Sequence, residues 1–159
     1  MLKTNVSYSI SKNSYDAGKD CAKKAVVDLI ETKVAFLFTS VDYNQKEVLE
    51  GAKSELGTAP IIGCTSSGGI IVPDGFITSD HGFAGMMAFG DPDLTVGVAG
   101  SERGKDPRET GRQVAIEAMR KAGKDIRPAY FYMVASPAEE GFYLKGIGDT
   151  IGRVPSFGG

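Results

Sequence analysis

Residues 60–70 read PIIGCTSSGGI: an apolar run, then a cysteine, three hydroxyl residues and two glycines. Two chemistries fit such a stretch. Hydroxyls both donate and accept hydrogen bonds, and Gly68 and Gly69 can expose backbone amides to an anion or a carboxylate, which together make a cradle for a polar metabolite. Alternatively, Cys64 is a nucleophile, and a cysteine nucleophile needs a base or an electropositive setting to become thiolate. His81 is the one histidine of the chain. It stands in the polar turn Thr78-Ser79-Asp80-His81, where Asp80 or Asp74 could orient it. No nucleophile-elbow or cysteine-protease signature surrounds Cys64, and its apolar neighbours equally suit a buried, inert thiol. Binding is thus favoured over catalysis, with the plain alternative that Ser, Thr and Gly simply terminate a strand.

The same residue types recur where other strand-like runs end. Thr39-Ser40 close the run from Val34, and Ser136 follows Pro128–Ala135. In open α/β sheets ligands sit beyond the carboxyl ends of parallel strands. If these strands run parallel, the candidate ligand-binding residues are Thr39, Ser40, Cys64, Thr65, Ser66, Ser67, Gly68, Gly69 and Ser136, converging on one rim. No catalytic residue is nominated. Glu139-Glu140, near Ser136, can grip a ligand amine or simply favour a helix start, and Arg153 can pair with a carboxylate or stay solvated. One histidine and two distant cysteines do not make a zinc site, Gly146–Gly152 does not keep the dinucleotide-fingerprint spacing, and no Walker sequence occurs. No metal or cofactor is expected.

The elements that must position these groups follow from periodicity. Val6, Tyr8 and Ile10 alternate as in a half-buried strand. From Ser14 to Glu31 the period becomes helical, with Gly18, Cys21, Ala22, Ala25, Val26, Leu29 and Ile30 on one face. Val34–Thr39 is an apolar run of strand length. A second helix starts at Asp42 or Asn44 and stops at Gly57. Pro60–Cys64 and Ile70–Val72 are short strands. GFAGMMAFG and LTVGVAG flank the turn Asp91-Pro92-Asp93 and read as an antiparallel hairpin. Asp106 caps the next helix, with Pro107 at its first position, Glu109 in a capping-box arrangement and a stripe of Val114, Ala115, Ala118, Met119 and Ala122. A strand from Pro128 and a glycine-weakened helix from Glu139 follow. This order predicts one α/β domain over residues 1–159: a mixed β-sheet with parallel strands plus an antiparallel hairpin, helices packed on the sheet. No repeat is apparent.

Bulk composition narrows the partners. At 159 residues, with 42% hydrophobic and 24% charged residues, the chain can bury a core without staples. A net charge of −2 without a basic block argues against nucleic acid. Glycine, at 21 residues, is roughly twice as frequent as usual, which points to tight packing or backbone approaching a ligand. No signal peptide or membrane-spanning run is apparent, so a cytoplasmic location without membrane insertion is the expectation.

Taken together, AFLFTS (35–40), PIIGCTSSGGI (60–70), the hairpin and the terminal VPSFGG resemble the N-terminal part of the FIST domain family across essentially the whole chain. The resemblance implies a sensory, small-ligand-binding domain of intracellular signal-transduction proteins, with amino acids or related metabolites as ligands. It implies as partners a C-terminal FIST portion or a signalling output domain. Residues 1–159 are accordingly expected to be a fragment of a longer protein. The resemblance supplies no catalytic residues. A cysteine-dependent hydrolase or acyltransferase using Cys64, or a protein-interaction module, are the competing expectations.

Overall fold

The N-terminal alternation forms strand β1 (Lys3–Ser9), followed by helix α1 (Ser14–Ala25) and the apolar strand β2 (Val34–Ser40). A computed structural model describes all residues, 1–159. Next come α2 (Gln45–Leu56), β3 (Ile61–Ser66), the short strands β4 (Ile70–Val72) and β5 (Gly75–Ile77), and β6 (Ala84–Gly90). These elements belong to a first unit, Met1–Leu94. A second unit, Thr95–Gly159, holds α3 (Pro107–Ala122), β7 (Phe131–Met133), α4 (Glu140–Ile151) and β8 (Ser156–Gly158). No helix is long and apolar enough to cross a membrane.

The first unit is built on a four-stranded sheet of order β1-β6-β2-β3. β6 runs antiparallel to both neighbours, whereas β2 and β3 are parallel. The expected fold class is the observed one, but the hairpin lies elsewhere. It is β4 and β5 that pair antiparallel across Pro73-Asp74. GFAGMMAFG does not pair with LTVGVAG: β6 inserts between β1 and β2, and residues 95–100 form no strand. The turn itself is present, with the Leu94 amide donating to the Asp91 carbonyl at 3.1 Å. A turn sequence shows that the chain bends; it does not choose a strand's partner. An uncharged strand such as β6 is suited to an interior position, where both edges are paired.

Helices α1 and α2 are capped by Asn13 and Asn44, whose side chains accept backbone amide protons. Asn44, not Asp42, is therefore the cap of α2. Helix α1 stops at Ala25, short of the expected Glu31, but Val26 and Leu29 still pack against the core. That core sets Ala17, Cys21, Ala22 and Ala25 of α1, with Val48, Ala52 and Leu56 of α2, against Ala35, Leu37, Ala84, Met86 and Ala88 of the sheet. Small residues let the two helices touch along their backbones. A Cβ on Gly18 would stand 2.0 Å from the Val48 carbonyl oxygen, and one on Gly51 would stand 2.0 Å from that of Tyr15.

The second unit pairs β7 with β8 in parallel. Helix α3 starts as its sequence predicts, with the Asp106 side chain accepting from the Arg108 and Glu109 amides and Pro107 in the first turn. Glu109 does not close a capping box; its carboxylate takes hydrogen bonds from Arg112 and Gln113 instead. Helices α3 and α4 also cross on glycine. A Cβ on Gly111 would stand 2.4 Å from the Tyr143 oxygen, and one on Gly146 would stand 1.8 Å from that of Arg108.

These contacts reveal a repeat that the sequence does not show. The interval from cap to glycine is the same in α1 (Asn13, Gly18) as in α3 (Asp106, Gly111), and the same in α2 (Asn44, Gly51) as in α4 (Glu139, Gly146). The carbonyls they meet match too: Val48 and Tyr143 stand at one shared position, Tyr15 and Arg108 at another. The strands agree. Gly63 lies opposite Leu37 on β2, and Gly158 opposite Met133 on β7, each leaving no room for a Cβ. The first unit runs α1-β2-α2-β3 after its first strand and the second runs α3-β7-α4-β8, and what the two share is the close-packing glycines and their distance from each helix start.

Substituting alanine for a helical glycine ordinarily stabilises by about 1 kcal/mol. Here the obstruction is backbone, which cannot rotate aside, so Gly18→Ala and Gly51→Ala should instead each destabilise by about 1–3 kcal/mol in urea melts. An alanine variant more stable than the parent would show that the helices do not cross at backbone contact.

Candidate functional site

Parallel pairing of β2 with β3 sets Thr39 beside Thr65 and Ser40 beside Ser66. Two of the strand tips nominated from the sequence, those of β2 and β3, therefore meet, because adjacent parallel strands finish on the same side of the sheet. Their hydroxyls are not equivalent, however. Thr39 and Ser40 are only 3% and 2% exposed. Thr39 Oγ1 donates to Gln45 Oε1 at 2.5 Å, and Ser40 Oγ donates to Asp42 Oδ2 at 2.6 Å. Gln45 Nε2 in turn donates to the Ser40 and Tyr43 carbonyls at 2.9 and 3.0 Å. Tyr43 is buried and its hydroxyl donates to the Ser11 carbonyl. Each buried polar group thus has its partner, and the turn from β2 into α2 is locked.

Above this floor the loop after β3 faces outward. Cys64, Thr65, Ser67 and Gly68 are exposed, while Ser66 and Gly69 are half-buried. Ser66 Oγ donates to the Gly69 carbonyl at 2.7 Å and closes the loop on itself. Ser67 and Thr65 are left as the outward hydroxyls. Gln45, Asp42 and Tyr43 are the residues of this region that sequence reading missed. Their only signal is position, just past a strand tip and at the start of a helix.

The two cysteines differ sharply. Cys64 is exposed on the sheet face opposite the helices, paired across the ladder with Phe38. Cys21 is fully buried, its thiol 3.1 Å from the Ala84 carbonyl oxygen, and burial pushes its pKa up to about 12. His81 is exposed, with its backbone amide donating to Ser79 Oγ at 3.2 Å. No group of three or more His, Cys, Asp and Glu side chains is placed to hold a metal.

Ser136 belongs to the second unit, where it stands as far beyond Met133 of β7 as Ser40 stands beyond Leu37 of β2. It hydrogen-bonds the Tyr143 hydroxyl. Tyr143 also donates to Glu139 Oε2 at 2.8 Å, and Arg103 donates to Glu139 Oε1 at 2.6 Å. These bonds, that from Arg103 first, hold the Glu139 carboxyl below its usual range. Both oxygens of Glu139 are engaged within the protein.

Residues 33–159 match the FIST N domain. The chain belongs to this family. FIST is a sensory domain family of signal-transduction proteins and is not typically catalytic. No curated protein matches the FIST N chain. Among solved structures it is similar to a thiamine monophosphate kinase from Aquifex aeolicus, with 14% identity over 94% of this chain and 51% of that one, at a TM-score of 0.34. It is also similar to the protein tt0281 from Thermus thermophilus, with 17% identity over 97% of this chain and 49% of that one, at a TM-score of 0.33. The chain spans about half the length of each, and a likeness this slight says nothing of what it does.

The second unit also carries an open cleft of about 760 Å³ beside the C-terminal ends of α3 and α4, lined by Ile116, Met119, Arg120, Lys124, Arg127 and Thr150 among others. Its cations have a structural reason to be there, because the last carbonyls of a helix attract positive charge. Arg120 is in addition paired with Glu117 at 2.7 Å.

The cysteine contrast is directly measurable. Iodoacetamide at neutral pH should alkylate Cys64 in the native FIST N chain and spare Cys21, with both labelled after denaturation. Native labelling of Cys21 at the rate of Cys64 would show that the core between α1 and the sheet admits solvent.

Proposed function

We propose that this FIST N chain is a sensory domain that binds a small polar metabolite, an amino acid or a similar compound, at the loop following β3. The observation that carries this reading is the pairing of an outward, hydroxyl-rich loop (Thr65, Ser66, Ser67, Gly68, Gly69) with a floor whose own hydroxyls are already satisfied. A floor locked by Gln45 and Asp42 costs little further ordering when a ligand arrives, so donors and acceptors above it are pre-organised. Gly68 and Gly69 offer backbone amides to a carboxylate, Thr65 and Ser67 offer hydroxyls to an amine or a hydroxyl, and Cys64 borders the site. Thr39 and Ser40 act as supports. Ser136 is the corresponding support in the second unit.

As a sensor, the domain works by shifting a conformational equilibrium, by no more than the ligand's differential affinity for the two states. Its partners on this reading are a C-terminal FIST portion or a signalling output domain, in the cytoplasm. No cofactor enters.

A thermal-shift screen of the proteinogenic amino acids and small carboxylates tests the proposal. A ligand at a hundred times its Kd should stabilise the fold by about 2.7 kcal/mol. The double variant Thr65→Val/Ser67→Ala should lose that shift while its unliganded melting temperature stays near the parent's, since both side chains are exposed. A flat response across the panel sinks the ligand class; a shift that survives the double substitution sinks the site.

A further inference from the structure

The hairpin of β4 and β5 has two unlike faces. Opposite residues of an antiparallel pair point the same way, so Ile70 and Ile77 share one face with Val72, and Ile71 and Phe76 share the other. The first face is turned to the sheet. Val72 is buried, and the Ile70 side chain lies over Gly85 of β6, where a Cβ would stand 2.2 Å from Ile70 Cδ1. The second face is turned outward, with Ile71 86% and Phe76 64% exposed.

That outward pair adjoins the loop after β3. A Cβ on Gly69 would stand 2.4 Å from Phe76 Cζ, so the ring edge rests on this glycine and fills the place of a side chain. Ser66 holds the same residue by its carbonyl. The loop is thus fixed between a strand tip and an aromatic ring. One residue further out the space is open, since a Cβ on Gly68 would meet nothing within 4 Å. Charge is nearly absent from the whole region. Between Gly57 and Ser79 the sole charged residue is Asp74, at the turn end of the hairpin and away from the end that adjoins Gly69.

We propose that Phe76 and Ile71 seat the side chain of the bound amino acid, and that the ligand is one with an apolar side chain, branched or aromatic. This inference rests on the reading of the loop after β3 as the binding site. A carboxylate taken by the Gly68 and Gly69 amides brings the ligand beside the Phe76 ring, because the ring touches Gly69 itself. An apolar side chain laid on the ring and on Ile71 removes surface of both partners from water. A charged side chain placed there would lose hydration and gain no counter-ion, and a glycine ligand would leave the pair uncovered. Hydroxyls and backbone amides thus select for an amino acid, and the hairpin selects which one.

Calorimetric titration of the 159-residue chain with glycine, alanine, leucine, phenylalanine and aspartate tests the proposal. Leucine or phenylalanine should bind about tenfold or more tighter than alanine, and aspartate more weakly than alanine. Phe76→Ala should reduce the preference for the larger side chain over alanine to about threefold or less. Should that substitution also release the loop, Ile71→Ser decides, because Ile71 is the more exposed of the two; it should reduce the same preference by about threefold. Equal affinities across the panel, all lost in Thr65→Val/Ser67→Ala, would keep the loop as a binding site and overturn the side-chain seat alone. A preference that survives both Phe76→Ala and Ile71→Ser would overturn it too, leaving the pair to a protein partner. Absence of binding by every member would sink the reading of the loop and this inference with it.

Discussion

Backbone contact between helices is the constraint from which the architecture follows. Gly18 and Gly51 let α1 and α2 approach until a carbonyl of each occupies the space a methyl group would need. At that spacing both helices share one face of a narrow sheet, and the layer beneath them must be thin. This explains why alanine dominates the core, with Met86 and Val48 the bulkiest fully buried side chains. With α2 on the same face as α1, the chain leaves β2, crosses and returns as β3 alongside, in parallel. The adjacency of Thr39 and Thr65 is a consequence of that crossing, not an independent feature.

Polar groups at the strand tips divide into two layers by the same logic. A hydroxyl beneath a helix start is out of reach of water and must find a partner within the protein. Thr39 and Ser40 do so through Gln45 and Asp42, and the resulting lock positions the beginning of α2. One strand further out, at the sheet edge, nothing covers the tip of β3, and Thr65 and Ser67 keep their hydroxyls outward. Residues of identical chemistry thus have opposite roles according to whether they end an interior or an edge strand.

The FIST N chain also uses its helix-crossing geometry twice. Keeping the spacing of helix start, glycine and facing carbonyl leaves almost every other residue free to differ, which is how two units can share an architecture with no visible sequence likeness.

Local chemistry was legible in the sequence. The cap and first-turn proline of α3, the helical stripe of α1, the apolar strands and the turn at Asp91-Pro92-Asp93 all announce themselves over a few residues, because propensity, capping and turn formation are short-range effects. The family resemblance, and the choice of strand tips as the place to look for a site, were equally within reach. Only the tertiary structure decided which strand lies beside which. β6 is adjacent in sequence to residues 95–100 yet pairs with β1 and β2, since pairing is set by which edges remain open once helices have taken their face. It likewise decided that Thr39 and Ser40 are buried supports while Thr65 and Ser67 face outward, and that the glycines recur at matched crossings. Burial and backbone approach arise between segments distant along the chain, and no local pattern of residues encodes them.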